Sequence, residues 1–325
     1  MGTNHLLEIK NLKTYFAVRK SILKAVDDVS LSIEAGKTLG LVGESGCGKS
    51  VTAASIMGLI PMPPGKIVGG EIFFEEVNLL KLPESKMKKI RGNRISMIFQ
   101  EPMTSLNPVF TVGDQVAEVI HLHQGLSRRE TRDKVIEVFH MVGIPAAKSR
   151  ITDYPHQMSG GMRQRVVIAM ALACNPKLMI ADEPTTALDV TIQAQILDLM
   201  NKLKEEAGAS ILFITHDLGV IAEMAQNVAV MYAGKVVEEA DVDTLFSEPK
   251  HPYTVGLMRS IPAFSQEKKR RRLSTIPGVV PSLFKLSEGC LFNERCPEVR
   301  GVCRQIEPPM VNLGNGHMVR CHNYA

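Results

Sequence analysis

The sequence predicts an α/β fold, and three features of the chain support this class. A glycine-rich stretch at residues 43–50 lies between a short apolar run at residues 39–42 and a helical pattern at residues 50–60. Two further apolar runs, at residues 178–181 and 211–215, have the length of strands and are separated by a helical stretch. Short strands that alternate with helices indicate a mostly parallel sheet.

The 325-residue chain has the composition of a globular protein, with 45% hydrophobic and 22% charged residues. Its length allows about two domains. The net charge of +4 is too small to indicate a nucleic-acid partner. No apolar run approaches the ~20 residues that a membrane span requires, and the first residues contain no apolar signal core. We therefore expect a soluble chain in the cytoplasm. Any role at a membrane would require a partner protein that spans the membrane.

Further strands follow from the alternation of apolar and polar side chains. Residues 29–33 alternate in this way and predict a half-buried strand, and residues 71–74 suggest another. Residues 228–232 and 235–239, joined by an Ala-Gly pair, predict a hairpin.

The region between the first and second groups of strands has a helical period. Residues 114–123 and 128–141 carry apolar side chains at three- and four-residue spacing, which predicts a helical insertion. One face of the second helix collects Val135, Val138, Phe139 and Val142.

The most informative motif is Gly-Glu-Ser-Gly-Cys-Gly-Lys-Ser at residues 43–50, a full match to G-x-x-x-x-G-K-S. Its glycines let backbone N–H groups converge on phosphate oxygens, and the positive end of the following helix points at the same anion. Lys49 would reach the β and γ phosphates of a nucleotide, and Ser50 would ligate Mg²⁺. We also expect a reactive Cys47 thiol, because such surroundings lower a thiol pKa, and an inert residue at a variable position is the alternative. The residues expected to contact ATP here are Gly43, Glu44, Ser45, Gly46, Cys47, Gly48, Lys49, Ser50 and Val51.

The apolar strand at residues 178–181 ends in two acids, Asp182 and Glu183. Packing gives no reason for adjacent carboxylates at the end of a buried strand. Asp182 can hold Mg²⁺ through water, and Glu183 is placed to polarise an attacking water molecule. Together with the glycine-rich loop, this pattern favours an ATPase over other classes of phosphate-binding loop protein.

Between these motifs, Met158, Ser159, Gly160 and Gly161 open an apolar helix that runs through Ala173. With this motif the chain resembles the ATP-binding subunits of ABC transporters over about residues 5–260. The resemblance implies that Ser159, Gly160 and Gly161 form the signature motif, which closes over the nucleotide held by the other subunit of a dimer. The family usually has leucine where this chain has Met158.

The same resemblance implies further site residues. Gln100 resembles the glutamine that senses Mg²⁺ and the γ phosphate, and His216 resembles the switch histidine that contacts the γ phosphate. Asp189 resembles the D-loop residue, which acts in trans. Either Tyr15 or Phe16 resembles the aromatic residue that stacks on adenine, and we favour Phe16.

The resemblance also implies an architecture. Residues 1–248 would form an ABC-type nucleotide-binding domain with an antiparallel β subdomain and a helical insertion subdomain at about residues 101–158. Residues 249–325 would form a small Cys-rich C-terminal module, in which prolines become frequent. A basic run at residues 268–272 is interpreted as a solvated linker, with contact to lipid head groups as the alternative.

Three stretches, at residues 100–108, 154–157 and 251–253, narrow the resemblance to the peptide-importer branch. This implies an ATPase subunit at the cytoplasmic face of the cell membrane that energises uptake of dipeptides or oligopeptides. The implied partners are membrane permease subunits, a second ATPase subunit (a paralogue or a second copy) arranged head to tail and, indirectly, an extracytoplasmic solute-binding protein. Import of nickel or sugars is an alternative, as is an ABC-type ATPase that acts on nucleic acid or ribosomes.

Four cysteines crowd the last 36 residues of the chain. Their spacing contains no C-x-x-C pair, so by itself it establishes only that four thiols are available. The resemblance implies a [4Fe-4S] cluster held by all four. Zn²⁺, helped by His317 or His322, and unliganded or disulfide-paired thiols are the alternatives. The cysteines are Cys290, Cys296, Cys303 and Cys321.

Overall fold

The computed structural model describes residues 5–19, 21–100, 105–186, 188–260, 275–284 and 286–325. The chain forms two compact units. Among the described residues, the first unit contains residues 5–6, Ile33–Lys37 and Lys81–Phe213, and the second contains Leu7–Ser32, Thr38–Leu80 and Ile214–Ala325. The basic run at residues 268–272 lies outside the described residues.

Both units combine strands with helices, as the α/β prediction requires. The strands are β1 (His5–Val18), β2 (Ser21–Glu34), β3 (Thr38–Val42), β4 (Gly65–Phe74), β5 (Val77–Asn78), β6 (Ile95–Ile98), β7 (Leu178–Asp182), β8 (Ser210–Thr215), β9 (Asn227–Tyr232), β10 (Lys235–Asp241), β11 (Val311–Asn312) and β12 (Met318–Val319). The α-helices are α1 (Lys49–Ile56), α2 (Glu84–Ile90), α3 (Val112–Gln124), α4 (Arg128–Met141), α5 (Ala147–Arg150), α6 (Gly160–Leu172), α7 (Val190–Ala207), α8 (Leu218–Met224), α9 (Val242–Ser247) and α10 (Pro252–Arg259).

An antiparallel sheet with the strand order β2-β1-β4-β5 forms the antiparallel subdomain. In its centre β1 and β4 run antiparallel, with Ile9 opposite Ile72. The predicted strand at residues 29–33 is part of β2, where Val29, Leu31 and Ile33 are buried. The alternation in the sequence therefore identified the face of β2 that packs into the core.

A second, mixed sheet in the second unit positions the glycine-rich loop. Strand β3 is buried along its whole length and runs parallel to β9, with Gly40 opposite Val228. Strands β9 and β10 form the predicted antiparallel hairpin. Its two loop residues, Ala233 and Gly234, have φ angles of 46° and 86°, the left-handed backbone that a two-residue hairpin loop needs.

The end of the chain adds two short strands to this sheet, whose order within the second unit is β11-β12-β10-β9-β3. Glu238 and Glu239 of β10 lie opposite Val319 and Met318 of β12. Residues near the C-terminus therefore share backbone hydrogen bonds with the hairpin. The domain boundary near residue 248 stays a prediction.

The first unit contains β6, β7 and β8 and the helices of the predicted insertion. Strands β6 and β7 are parallel and both are almost entirely buried. The two helices predicted at residues 114–123 and 128–141 are confirmed as α3 and α4. Helix α3 begins two residues earlier than predicted because the Thr111 side chain caps it. A capping box between Ser127 and Glu130 starts α4 at the predicted residue.

Helix α1 is shorter than the predicted helix at residues 50–60. It ends at Ile56, and Gly58 then takes a left-handed φ of 61°, which turns the chain away from the helix axis. In the part of the chain that the structure describes, no helix has the length and apolar character that a membrane crossing needs.

Candidate functional site

The glycine-rich loop connects β3 to α1, as the motif requires. Gly43 has a φ of 151°, and a Cβ atom there would collide with the carbonyl oxygen of Met231. Gly48 has a φ of 110°, and a Cβ atom there would collide with the carbonyl oxygen of Ala25. Only glycine satisfies both the backbone angle and the close approach at these two positions. The loop therefore lies directly against β9 and against β2 at Ala25.

Lys49, the expected phosphate ligand, and Ser50, the expected Mg²⁺ ligand, lie at the start of α1. Lys49 is 5% exposed, and its Nζ donates to the carbonyl oxygens of Gly43 at 2.7 Å and Glu44 at 3.2 Å. The ammonium group is therefore inside the curve of the loop. Ser50 is exposed on the first turn of the helix, beside the exposed Ser45 and Gly46. This arrangement joins a positive charge, a helix N-terminus and a hydroxyl, which together suit a polyphosphate and its metal ion.

The expectation of a reactive Cys47 is wrong. The side chain is 1% exposed, and burial raises the pKa of its thiol above the ordinary value. The Lys49 ammonium, 3.8 Å from Sγ, lowers the pKa but does not outweigh the loss of solvation. The thiol is therefore protonated and shielded. Val51, the last predicted contact, is half-buried in α1.

Both candidate adenine-stacking residues lie near the end of β1 and are half-buried. The Tyr15 hydroxyl donates to Asp27 Oδ1 at 2.6 Å, and burial together with the Asp27 charge raises the pKa of the tyrosine. The Phe16 ring covers Gly65, where an added Cβ atom would lie 2.8 Å from its Cε1. The choice of Phe16 stays a prediction.

The two acids at the end of β7, Asp182 and Glu183, lie in the first unit. Asp182 is the last residue of β7 and is 3% exposed. Glu183 follows it with a left-handed φ of 49°, which turns its side chain out of the strand direction. Glu183 Oε2 accepts hydrogen bonds from Gln100 Nε2 at 3.1 Å and from Thr186 Oγ1 at 2.9 Å. The structure therefore brings Glu183 and Gln100 together, and it adds Thr186, which no sequence pattern marked.

The Ser-Gly-Gly motif forms the exposed start of α6. Ser159 Oγ caps this helix by accepting from the N–H of Met162 at 3.3 Å. A Cβ atom on Gly160 would meet nothing within 4 Å, whereas one on Gly161 would lie 2.9 Å from Cγ2 of Ile192 in α7. Gly161 therefore permits close packing of α6 on α7, and Gly160 leaves the helix end open to a ligand.

Two further predicted residues also sit at exposed ends of elements. Asp189 caps α7, where its Oδ1 accepts from the N–H of Ile192 at 2.9 Å. His216 is exposed directly after β8, in the second unit. Residues 101–104, which follow Gln100 in the predicted motif, lie outside the described residues.

The four tail cysteines are neighbours but do not form a recognisable metal site. Burial, together with the charges of the other three cysteines, raises the pKa of the Cys290 thiol to about 11. Among the described residues, no group of three or more His, Cys, Asp or Glu side chains is arranged to hold a metal ion. The structure therefore gives no support to the predicted [4Fe-4S] cluster.

The same finding leaves the Zn²⁺ alternative without support, and both histidines that could assist the thiols have other partners. His317 Nε2 pairs with the buried Glu238 Oε1 at 2.8 Å. His322 donates through Nε2 to the carbonyl oxygen of Ile306, also at 2.8 Å.

Comparison with known proteins places these motifs in a family. The model of the ABC transporter family matches residues 26–186, and the model of the C-terminal region of oligopeptide/dipeptide transporters matches residues 237–303. The chain is 54% identical to a probable peptide ABC transporter ATP-binding protein of Sinorhizobium fredii, over 97% of this chain and 94% of that protein. It is 53% identical to the oligopeptide transport ATP-binding protein AppD of Bacillus subtilis, over 98% and 97% of the two chains.

A solved structure shows the same fold. It is the dimeric form of an ATP-binding cassette in a post-hydrolysis state, bound to ADP and phosphate. The two proteins are 30% identical and superpose with a TM-score of 0.65 over 73% of this chain and 98% of that chain.

Proposed function

This chain belongs to the ABC transporter family of ATP-binding proteins, and from that membership we propose that it binds and hydrolyses ATP to drive the import of dipeptides or oligopeptides. The observation that supports ATP binding most directly is the geometry of the glycine-rich loop at residues 43–50. Gly43 and Gly48 can only be glycine, and they hold the loop around the Lys49 ammonium. The full-length similarity to peptide-transporter subunits supports the substrate class. Nothing comparable favours nucleic acid, ribosomes, nickel or sugars.

Each residue of the site has a role in this proposal. Lys49 would bind the β and γ phosphates, and Ser50 would ligate Mg²⁺. Asp182 would hold Mg²⁺ through water, and the metal ion would offset phosphate charge. Glu183 accepts a proton from the attacking water, and Gln100 keeps its carboxylate oriented through their hydrogen bond. His216 contacts the γ phosphate.

Hydrolysis would require two ATPase subunits arranged head to tail. Ser159, Gly160 and Asp189 lie at exposed helix starts, where they can reach a nucleotide on a second subunit. A helix N-terminus favours the negative charge of a phosphate. The solved relative is dimeric, which supports an assembly of two subunits.

The helical insertion is the proposed docking site for the permease subunits. An open cleft of about 640 Å³ lies among α3, α4 and the residues around Ile151. Its lining mixes apolar and charged side chains, which suits a short amphipathic loop of a membrane protein. Docking there would place the chain on the cytoplasmic face of the membrane, with the solute-binding protein on the other side. Side chains lining the cleft include Asp114, Ala117, Glu118, Arg128, Arg132 and Val135.

Binding of MgATP to the purified chain tests the nucleotide site. We expect Lys49→Ala to weaken binding by more than tenfold, because the ammonium charge is lost from the centre of the loop. Lys66→Ala, at an exposed position of β4, is the matched control and should bind as the wild type does. Equal affinity of Lys49→Ala and wild type would contradict the nucleotide site.

Recovery of the tagged chain from membranes tests the docking site. We expect permease subunits to be identified with it by mass spectrometry, and Arg132→Glu to reduce their yield while ATP binding persists. An unchanged yield from Arg132→Glu would contradict docking in this cleft.

A further inference from the structure

Residues of the C-terminal region hold one residue of the glycine-rich loop from two sides. The N–H of Glu44 donates to Tyr253 Oη at 2.9 Å. The Glu44 carboxylate accepts both branches of the Arg295 guanidinium, with Nη1 at 2.7 Å from Oε2 and Nη2 at 3.1 Å from Oε1. The Glu44 carbonyl oxygen accepts from Lys49 Nζ at 3.2 Å. Glu44 therefore links Arg295 directly to the phosphate-binding lysine.

Other contacts hold Arg295 in place independently of Glu44. Its Nε donates to the carbonyl oxygen of Pro277 at 3.0 Å, and its side chain is only 4% exposed. The guanidinium carbon lies 5.8 Å from the ring centroid of Tyr232 and 5.9 Å from that of Phe292. A guanidinium fixed in this way loses little conformational entropy when it pairs with a carboxylate.

An aromatic cluster connects this arginine to the rest of the second unit. The ring centroids of Tyr232 in β9 and Tyr253 in α10 are 4.6 Å apart, and Phe292 lies 5.2 Å and 5.5 Å from them. Burial raises the pKa of Tyr253, so its phenol stays neutral and offers a lone pair to the N–H of Glu44. Phe292 and Arg295 belong to the tail segment between Cys290 and Cys296.

We propose that Arg295 is a positioning residue for the nucleotide-binding loop. It neutralises the Glu44 carboxylate, which would otherwise repel a polyphosphate a few residues along the loop. By holding the Glu44 side chain it also restricts the backbone at this residue, so that the loop keeps its curvature around Lys49. The inference rests on the proposed ATP binding and makes the tail part of the nucleotide site.

A set of substitutions in the full chain tests the proposal through MgATP affinity, measured by isothermal titration calorimetry. We expect Arg295→Gln to weaken binding about tenfold, equivalent to about 1.4 kcal/mol. Arg295→Lys keeps the charge but loses the two-branched contact, so its loss should be smaller. Arg304→Gln, at an exposed position of the same tail, is the matched control and should bind as the wild type does.

The decisive comparison is made in a Glu44→Gln background. If Arg295 acts through the Glu44 carboxylate, adding Arg295→Gln to Glu44→Gln should change the affinity by less than twofold. An equal loss in both backgrounds would overturn the proposal, because a general effect on folding does not depend on that carboxylate. Wild-type affinity in Arg295→Gln would overturn it as well. If Arg295→Gln does not fold, Arg295→Lys supplies the same comparison.

The same measurements distinguish failure of the proposed function from failure of the positioning role. If the wild-type chain does not bind MgATP, or if Lys49→Ala binds it equally well, both proposals are wrong. If Lys49→Ala loses binding while Arg295→Gln does not, only the positioning role is wrong.

Discussion

At the residue scale, the proposed hydrolysis depends on the carboxylate of Glu183. Hydrogen bonds from Gln100 and Thr186 converge on its Oε2 and fix its orientation. The left-handed backbone at this residue, with a φ of 49°, directs the side chain away from β7. Such a strained conformation at a reactive residue is common in active sites.

Replacement of this carboxylate should separate binding from turnover. We expect Glu183→Gln to lower the rate of ATP hydrolysis by about a thousandfold, because an amide cannot accept the proton of the attacking water. MgATP affinity should stay within about twofold of the wild type, since the phosphate-binding loop is unchanged. Phosphate release and equilibrium binding, measured on the same preparation, check both expectations.

A second carboxylate of the same unit provides the control for this experiment. Glu205 is exposed in α7, and Glu205→Gln should keep wild-type turnover. Turnover in Glu183→Gln that matches Glu205→Gln would show that another group accepts the proton.

The motif at residues 43–50 predicts the roles of some site residues but not of those whose properties depend on tertiary packing. The match at residues 43–50 identified Lys49 and Ser50, because their roles follow from position in the motif. It gave a wrong expectation for Cys47, since the burial that raises its pKa comes from packing that the motif does not encode. Arg295 and Thr186 carried no local signal, because their importance arises from contacts made only in the folded chain.

At the element scale, two glycines of the same loop provide a matched pair. Gly46 and Gly48 both have left-handed φ angles, 78° and 110°, so alanine is strained at either position. A Cβ atom on Gly46 would meet nothing within 4 Å, whereas one on Gly48 would collide with the carbonyl oxygen of Ala25. We expect Gly48→Ala to abolish measurable MgATP binding and Gly46→Ala to weaken it less than tenfold. Similar affinities for the two variants would contradict the account of the loop.

Helix α10 begins at a buried histidine, which makes its stability depend on pH. The ring of His251 accepts the N–H of Tyr253 at 3.1 Å, and burial lowers the pKa of the histidine to about 3. In the unfolded chain His251 is protonated below about pH 6.5, whereas in the folded chain it stays neutral down to about pH 3. The neutral histidine therefore contributes its full stability above pH 6.5, and this contribution is lost as the pH falls from 6.5 toward 3.

Substitution of this cap should remove that acid sensitivity. We expect the free energy of unfolding of the wild type to fall by about 1.4 kcal/mol per pH unit in this window through His251. His251→Asn keeps an acceptor for the helix and cannot titrate, so its slope should be shallower by that amount. His140→Asn, at the exposed end of α4, should keep the wild-type slope. Urea unfolding at pH 7, 5 and 4 measures the slopes, and equal slopes in wild type and His251→Asn would refute this account.

The predictability of an element depended on whether its signal is local. Helix α4 and the β9–β10 hairpin were predicted within one or two residues, because a capping box and an Ala-Gly loop mark their limits. Strands β11 and β12 were not predicted, since two-residue strands have no period of their own and exist through pairing with β10.

At the scale of the whole molecule, the tail after residue 248 packs on the part of the chain that carries the glycine-rich loop, which its sequence does not indicate. The tail contributes β12 to the sheet that carries the glycine-rich loop, and Arg295 to the loop itself. Composition predicted a separate module after residue 248, because proline content changes there. Composition does not report pairing across the sequence, so the contacts with β10 and Glu44 could not be anticipated.

The central claim is that ATP hydrolysis by this chain drives peptide import, and uptake in cells measures it most directly. The native organism, deleted for this chain, would be supplied with wild type or Glu183→Gln at equal abundance. Uptake of a radiolabelled dipeptide or tripeptide should return with the wild type and stay at the deletion level with Glu183→Gln. Full uptake with Glu183→Gln, or no loss of uptake on deletion, would contradict the claim.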